Sequence, residues 1–249
     1  MLDLDSALAH LAEHGWARLG VCGEPEAMAA LRGQAEAITR AAAATDGLFF
    51  QHDSPSGAYD DLEFGGGWIG PSDGYRKVER LEHDPVFRAW IDNRLFGQVA
   101  HAAIGPAITL YRAVLWSKRA SGGTELPWHQ DGGKFWGLSA QPTLTIWTAL
   151  DDTPVDSGCV EVIPGTHLAG LASPEGGTIA DELVAPRLGD AIMLPALAGE
   201  VLLLHNLVWH RSRRNRTAAP RRALSLALMS AETRCTRRRR APRTFATLY

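Results

Sequence analysis

The chain has 249 residues, of which 45% are apolar and 21% charged, with 25 Gly and 14 Pro. This composition excludes a mainly disordered chain and fits a single globular unit. Cys22, Cys159 and Cys235 are too few and too scattered for a disulfide framework or a cysteine zinc site. The net charge of -3 conceals a block between Arg211 and Arg243 that holds twelve Arg and one acid, Glu232.

In chain order, the start MLDLDSALAHLAEHG is acidic and amphipathic, unlike a secretion or transit signal. Leu4, Leu8 and Leu11 recur at helical spacing, with Gly15 as a stop. WARLGVC follows as a short strand, and a second helix is expected after Pro25, through EAMAALRGQAEAITRAAAA. The segment from Asp46 to Gly74 is rich in Gly, Asp and Ser and reads as a long loop, a candidate lid carrying Phe64 and Trp68. A third helix is expected from Asp84 to Gly97, with Asp84 as cap and Pro85 at its first position.

Beyond Ile108 the texture changes. ITLYRAVLWSK, TLTIWTAL, GCVEVI, DAIMLPA, EVLLLHNLVWH and RRALSLALM are strand-like runs separated by Gly, Pro and Asp. Such spacing predicts a sandwich or barrel. The expected organisation is one domain. A helical part spans 1–105, a β core 106–230 and a basic tail 231–249, with the run Arg237 to Arg240 solvated. No apolar run reaches membrane length, so the reading is a soluble cytoplasmic protein with no membrane partner. Nucleic acid is not an expected partner, because the arginine run lacks interleaved aromatics and the rest of the chain is acidic.

Trp128-His129-Gln130-Asp131 is the first segment with chemical content. In an extended chain His129 and Asp131 project to one side and can share an ion. A third ligand must come from a distant strand. His210, ending EVLLLHNLVWH, is the leading candidate. His205, five residues earlier, is expected on that strand's opposite face, and His167 is an intermediate case. Two imidazoles and one carboxylate with open positions opposite suit non-haem Fe(II). Arg221 begins the strand RRALSLALM, where Arg221, Ala223, Ser225 and Ala227 share one face. A guanidinium there can grip a carboxylate with two parallel hydrogen bonds. Arg222 falls on the other face and reads as solvated.

WHQDGGKFWG, LTIWTALDDTPVDSGCVEVIPGTH and LLHNLVWHRSRRNRTAAPRRALSL together resemble the phytanoyl-CoA dioxygenase family of Fe(II)/2-oxoglutarate oxygenases. The match runs from about Tyr111 to Met229. The resemblance implies a mainly β fold, a double-stranded β-helix (a jelly-roll, cupin-like barrel) with N-terminal helices packed outside. It implies His129, Asp131 and His210 as iron ligands, with 2-oxoglutarate and O2 as co-substrates. It implies Arg221 on the distal carboxylate of 2-oxoglutarate, Ser212 assisting it, and Trp147 against the co-substrate. Lys118 matches a frequent family lysine and receives no firm role. Asp131 fills the position that related halogenases leave open for halide, so an oxidation is implied rather than halogenation.

The expected function is oxidation of an unactivated C–H bond, by hydroxylation or ring closure. The expected substrate is a small polar natural product, sugar- or cyclitol-containing, in antibiotic biosynthesis. A hydroxylase of an amino acid or small acid is the alternative within enzymes, and a non-catalytic jelly-roll binding module the alternative outside them. Trp136, Lys134, Trp116 and Trp68 are the candidate substrate residues. Arg211, Arg213, Arg214 and Arg216 are expected beside the active-site mouth.

Overall fold

A computed structural model describes residues 3–40, 46–63, 67–237, 243–245 and 247–249. Helix α1 spans Leu4–His14. Asp3 caps its start, and Gly15 ends it at φ +80°, a conformation that suits a residue without a Cβ. Strand β1 is Trp16–Val21 and α2 is Pro25–Thr39.

The segment read as a structureless loop contains strand β2, Phe49–His52, which pairs with β3, Tyr75–Glu79. Further bonds anchor it to the core: Thr124 N donates to Asp53 Oδ1 at 2.7 Å and Glu125 N to Gly57 O at 3.0 Å. Phe64 lies outside the described residues. The third expected helix divides into α3, Pro85–Ile91, and α4, Arg94–Ala103. The break has a local cause, because the Asn93 side chain accepts from Leu95 N and so caps a new helix.

The remaining strands are β4 (Ile108–Lys118), β5 (Leu126–Gln130), β6 (Leu144–Ala149), β7 (Val160–Ile163), β8 (Gly177–Thr178), β9 (Ile192–Leu194), β10 (Glu200–His205), β11 (Trp209–Ser212) and β12 (Arg221–Ser230). One sheet has the order β1-β10-β6-β12-β4-β3-β2, the other β8-β5-β11-β7-β9. All the strand pairings are antiparallel. The expected jelly roll with outer helices is the observed fold.

EVLLLHNLVWH is not one strand. Asn206–Val208 form a corner between β10 in the large sheet and β11 in the small one. Asn206 fixes it, with its N–H donating to Thr143 O at 3.1 Å and its carbonyl accepting from Asp131 N at 2.8 Å. The chain therefore changes sheets just before His210.

Strand alternation sorts the core into two layers. Leu224, Leu226 and Leu228 face the helices with Ile146 and Leu203, against Leu11, Leu31, Ile91 and Val99. Ala223, Trp147, Leu202 and Leu204 face inward, with Val160 and Val162 of the opposite sheet. The helices cover one face of the large sheet and leave its inner face for the site. Arg222 is not merely solvated: on the helix side it forms a two-point bond with Asp151 and reaches Glu36 at 3.0 Å. The basic tail is not free at its described positions either. Arg237 Nη2 donates to Phe135 O and Arg243 Nη2 to Tyr111 O, each at 2.7 Å. Residues 238–242, with most of the four-Arg run, lie outside the described residues.

Asp84 joins two of the helices, α2 and α3. Its Oδ1 accepts from Val86 N and Phe87 N at 2.9 and 3.2 Å, and its Oδ2 accepts from Gln34 Nε2 of α2 at 2.6 Å. Replacing Asp84 by Ala is expected to cost about 1–2 kcal/mol, the usual loss for a helix N-cap. Asp84→Asn is expected to lose less. Urea unfolding midpoints at constant m-value check both.

Candidate metal centre and co-substrate cleft

β5 and β11 are neighbours in the small sheet, and their register places His129 opposite His210. The ring centroids are 4.0 Å apart. His129 Nδ1 lies 2.9 Å from Pro127 O, and His210 Nδ1 2.9 Å from Val208 O. A carbonyl only accepts, so each Nδ1 carries the hydrogen and each Nε2 keeps a free lone pair. Both Nε2 atoms face Asp131: His129 Nε2 is 4.0 Å from Oδ1 and His210 Nε2 is 3.8 Å from Oδ2. One ligand atom from each of the three residues falls within 4.8 Å of the others, close enough to hold a single metal ion.

Their ionisation suits the same task. Burial, then the neighbouring His210, pushes the His129 pKa down to about 3, so its imidazole is neutral at pH 7. Burial works to raise the Asp131 pKa, but Arg112, His210, His129 and Lys77 together hold it below the usual value. The His129 imidazole and the Asp131 carboxylate are therefore already in the ligand forms a divalent cation requires.

The three residues open into a cleft between the sheets. Arg221 lies in its wall, 3% exposed, cross-strand from Lys118. Arg221 Nη2 donates to Gly158 O, but its Nε has no hydrogen-bond partner among the described residues. It forms no ion pair there either, and Asp151, the carboxylate that most influences it, already holds Arg222. Burial pulls the Arg221 pKa down to about 10, so the group stays charged at pH 7. A buried cation with an orphaned N–H fits an incoming carboxylate.

Ser212 and Trp147 line the same cleft, and the Arg221 guanidinium lies 5.9 Å from the centre of the Trp147 ring. Lys118 lines it too. Its Nζ donates to Thr124 O at 2.6 Å and to Ser212 O at 3.3 Å. Burial, with Arg221 and Arg76 nearby, pulls its pKa well below the usual lysine value.

The candidate substrate residues separate. Trp116 lines the cleft, its Nε1 donating to Ser225 Oγ at 2.9 Å. Trp136 does not: it is 3% exposed, stacked on Tyr111 with 4.6 Å between centroids. Lys134 is exposed and pairs with Glu175 at 3.3 Å. Trp68 stacks on Tyr75 and packs against the helix-side core. Trp136 and Lys134 lie near the ligands in sequence and Trp68 lies in the candidate lid, but packing and pairing turn all three elsewhere.

His205 does line the cleft, contrary to the expected opposite-face placement, because the corner at Asn206–Val208 breaks the alternation. Of the loop arginines, Arg211 reaches the cleft wall, but it and Arg213 are held by the buried Glu161 at 2.7 Å. Sequence reasoning also missed Arg76. It is 6% exposed, lines the cleft, and donates to Gln51 Oε1 at 2.8 Å. Alternation in YRKVE would have grouped Arg76 with Val78, which packs in the helix-side core; a register shift against β2 at Arg76 breaks that pattern, so the sequence carried no signal for it.

The phytanoyl-CoA dioxygenase family model matches residues 11–223. The chain belongs to the phytanoyl-CoA dioxygenase family. The family is one of iron(II)- and 2-oxoglutarate-dependent oxygenases. Phytanoyl-CoA dioxygenase domain-containing protein 1 of Bos taurus is 25% identical over 174 residues, 66% of this chain and 60% of the relative. The match thus spans less than two thirds of that relative's length. Among solved structures, the non-heme alpha ketoglutarate dependent epimerase SnoN from nogalamycin biosynthesis aligns at TM-score 0.71 and 21% identity, over 99% of this chain and 96% of that one. EctD from S. alaskensis, solved with 2-oxoglutarate and 5-hydroxyectoine, aligns at TM-score 0.73 and 18% identity, over 92% and 76%. At these identities the two structures show the shared fold.

A pH dependence follows from the buried imidazoles. His129 is held at about 3 and His205 at about 4, both chiefly by burial, against about 6.5 in an unfolded chain. Between about pH 4 and 6.5 the unfolded chain binds protons that the folded chain does not. Stability of the metal-free protein therefore falls as pH is lowered through that window. Urea midpoints measured from pH 7 to 4.5 are expected to drop, and His205→Gln to flatten part of the drop. An identical pH slope in this variant would contradict the assignment.

Proposed function

We propose that the protein is an iron(II)/2-oxoglutarate-dependent oxygenase that oxidises an unactivated C–H bond of a small polar molecule. His129, Asp131 and His210 are the metal ligands in this reading, and Arg221, Ser212 and Trp147 the co-substrate residues. The observation that carries it is a convergent His/Asp/His set sharing one cleft with a buried, unpaired arginine. The chemistry such a centre supplies is oxidative decarboxylation of 2-oxoglutarate, coupled to removal of a hydrogen atom from carbon.

The chain's own contribution is positional. The Nδ1 bonds to Pro127 and Val208 hold the two imidazoles with their lone pairs inward. Arg221 receives the distal carboxylate of 2-oxoglutarate and gains the acceptor that its Nε lacks. Leu204, Val160 and Trp147 form apolar wall around that anion, which strengthens the pairing and limits water.

For the substrate, a sugar- or cyclitol-bearing natural product is the proposed class, with hydroxylation or ring closure as the outcome. Trp116 offers an aromatic wall beside polar groups, the combination that recognises rings carrying hydroxyls. The likeness to SnoN, an enzyme of nogalamycin biosynthesis, supports the same direction. A sequestered guanidinium alone would equally suit an anion-binding module; the convergent His/Asp/His set in the same cleft is what favours the enzyme.

Equilibrium dialysis of 2-oxoglutarate with the Mn(II)-loaded protein tests the arginine. Truncating one partner of a buried charge pair costs about 2–5 kcal/mol. Arg221→Met should therefore weaken 2-oxoglutarate binding roughly thirtyfold or more. Affinity unchanged in the variant would remove Arg221 from the site. Asp131→Ala is expected to lose the metal itself.

A further inference from the structure

Outside the cleft wall, one residue touches the carboxylate of the candidate centre. Arg112 lies on β4, its side chain largely sheltered at 18% exposure. Its Nη2 donates to Asp131 Oδ1 at 3.3 Å, and its Nη1 lies 3.7 Å from Glu79 Oε1. The same Glu79 oxygen meets Lys77 Nζ at 2.5 Å. The guanidinium carbon lies over Trp136, 4.5 Å from the ring centre, and Trp136 in turn stacks on Tyr111. Arg112 is thus fixed on three sides: by a carboxylate anchor on β3, by an aromatic floor, and by Asp131.

We propose that Arg112 is the positioning residue for Asp131. It occupies Oδ1 and leaves Oδ2, 3.8 Å from His210 Nε2, as the oxygen free to meet an ion. The proposal rests on the metal centre described under the proposed function. A carboxylate on a short side chain rotates unless something holds it, and a bond from a rigid, planar donor holds one oxygen in a set direction. Arg112 also compensates the buried Asp131 charge before any cation arrives, which keeps the ligand preformed. The burial of Trp136, unexplained by substrate contact, acquires a purpose here as the platform that keeps the guanidinium in plane.

An ordinary structural ion pair would affect stability and leave metal affinity unchanged. The test therefore reads metal binding directly, by calorimetric titration of metal-free protein with Co(II). Arg112→Met is expected to raise the Kd by about 10- to 100-fold, the range for residues that orient a metal ligand. Arg112→Lys keeps the charge without the planar fork and is expected to fall between wild type and Arg112→Met. Arg222→Met removes a comparable arginine ion pair on the helix side of the same sheet and should leave the Kd unchanged. Far-UV circular dichroism verifies the fold of each variant. If Arg112→Met does not fold, the Arg112→Lys titration decides. Wild-type affinity in a folded Arg112 variant overturns the proposal alone. A wild-type protein that binds no Co(II) overturns the metal centre as well. An equal loss in Arg222→Met also overturns it, because the effect would then be general destabilisation.

Discussion

A guanidinium sealed from water without a bonded carboxylate is expensive to bury, and among the described residues Arg221 has none. It stands at the start of β12, in the wall of a cleft between two sheets. A carbonyl meets one nitrogen, and another N–H is left without an acceptor. Its charge in turn disfavours the charged form of the neighbouring Lys118. Lys118 sits cross-strand and Arg76 lies in the same wall, while Asp131 is the carboxylate in the lining. Such an arrangement lowers stability unless an anion visits the cleft. The electrostatics of the site therefore point to a ligand that carries at least one carboxylate.

The jelly roll turns this demand into a working geometry. Helices cover one face of the large sheet, so its inner face is left to line a cavity without exposing the apolar core. The small sheet contributes β5 and β11 side by side, in a register that sets His129 against His210. The corner at Asn206–Val208 carries the chain from one sheet to the other and ties its own backbone to Asp131. The two candidate imidazole ligands thus rest on hydrogen-bonded strands, with Asp131 just past the end of β5 and backbone carbonyls accepting from both Nδ1 atoms. Rigid elements place such ligands more exactly than loops do.

Much of this was legible in the sequence, for definite reasons. His129 and Asp131 two apart on a strand, an imidazole at the end of a later strand and Arg221 on the small-residue face of the last one all follow from period-two alternation. The same rule sets Leu224, Leu226 and Leu228 on the face opposite Arg221, and that face packs against the helices. It failed where the chain leaves its strand. EVLLLHNLVWH looks continuous because only His205 and Asn206 interrupt its apolar run, and the hydrogen bonds that make it a corner come from Thr143 and Asp131, distant in sequence. Strand order was also hidden. Arg76 and Arg112 matter because β3 lies beside β4, a neighbour relation that a single chain does not display. Trp136 was misread for the opposite reason, since proximity in sequence to His129 said nothing of its stacking on Tyr111.

The most direct measurement is the visible difference spectrum of the protein under anaerobic conditions, with Fe(II) and then 2-oxoglutarate added. A weak charge-transfer band that appears only when both are present, and saturates at one equivalent of each, is the expected result. Fe(II) binding in the absence of any such band, at 2-oxoglutarate concentrations that saturate the protein, would contradict the assignment of this cleft.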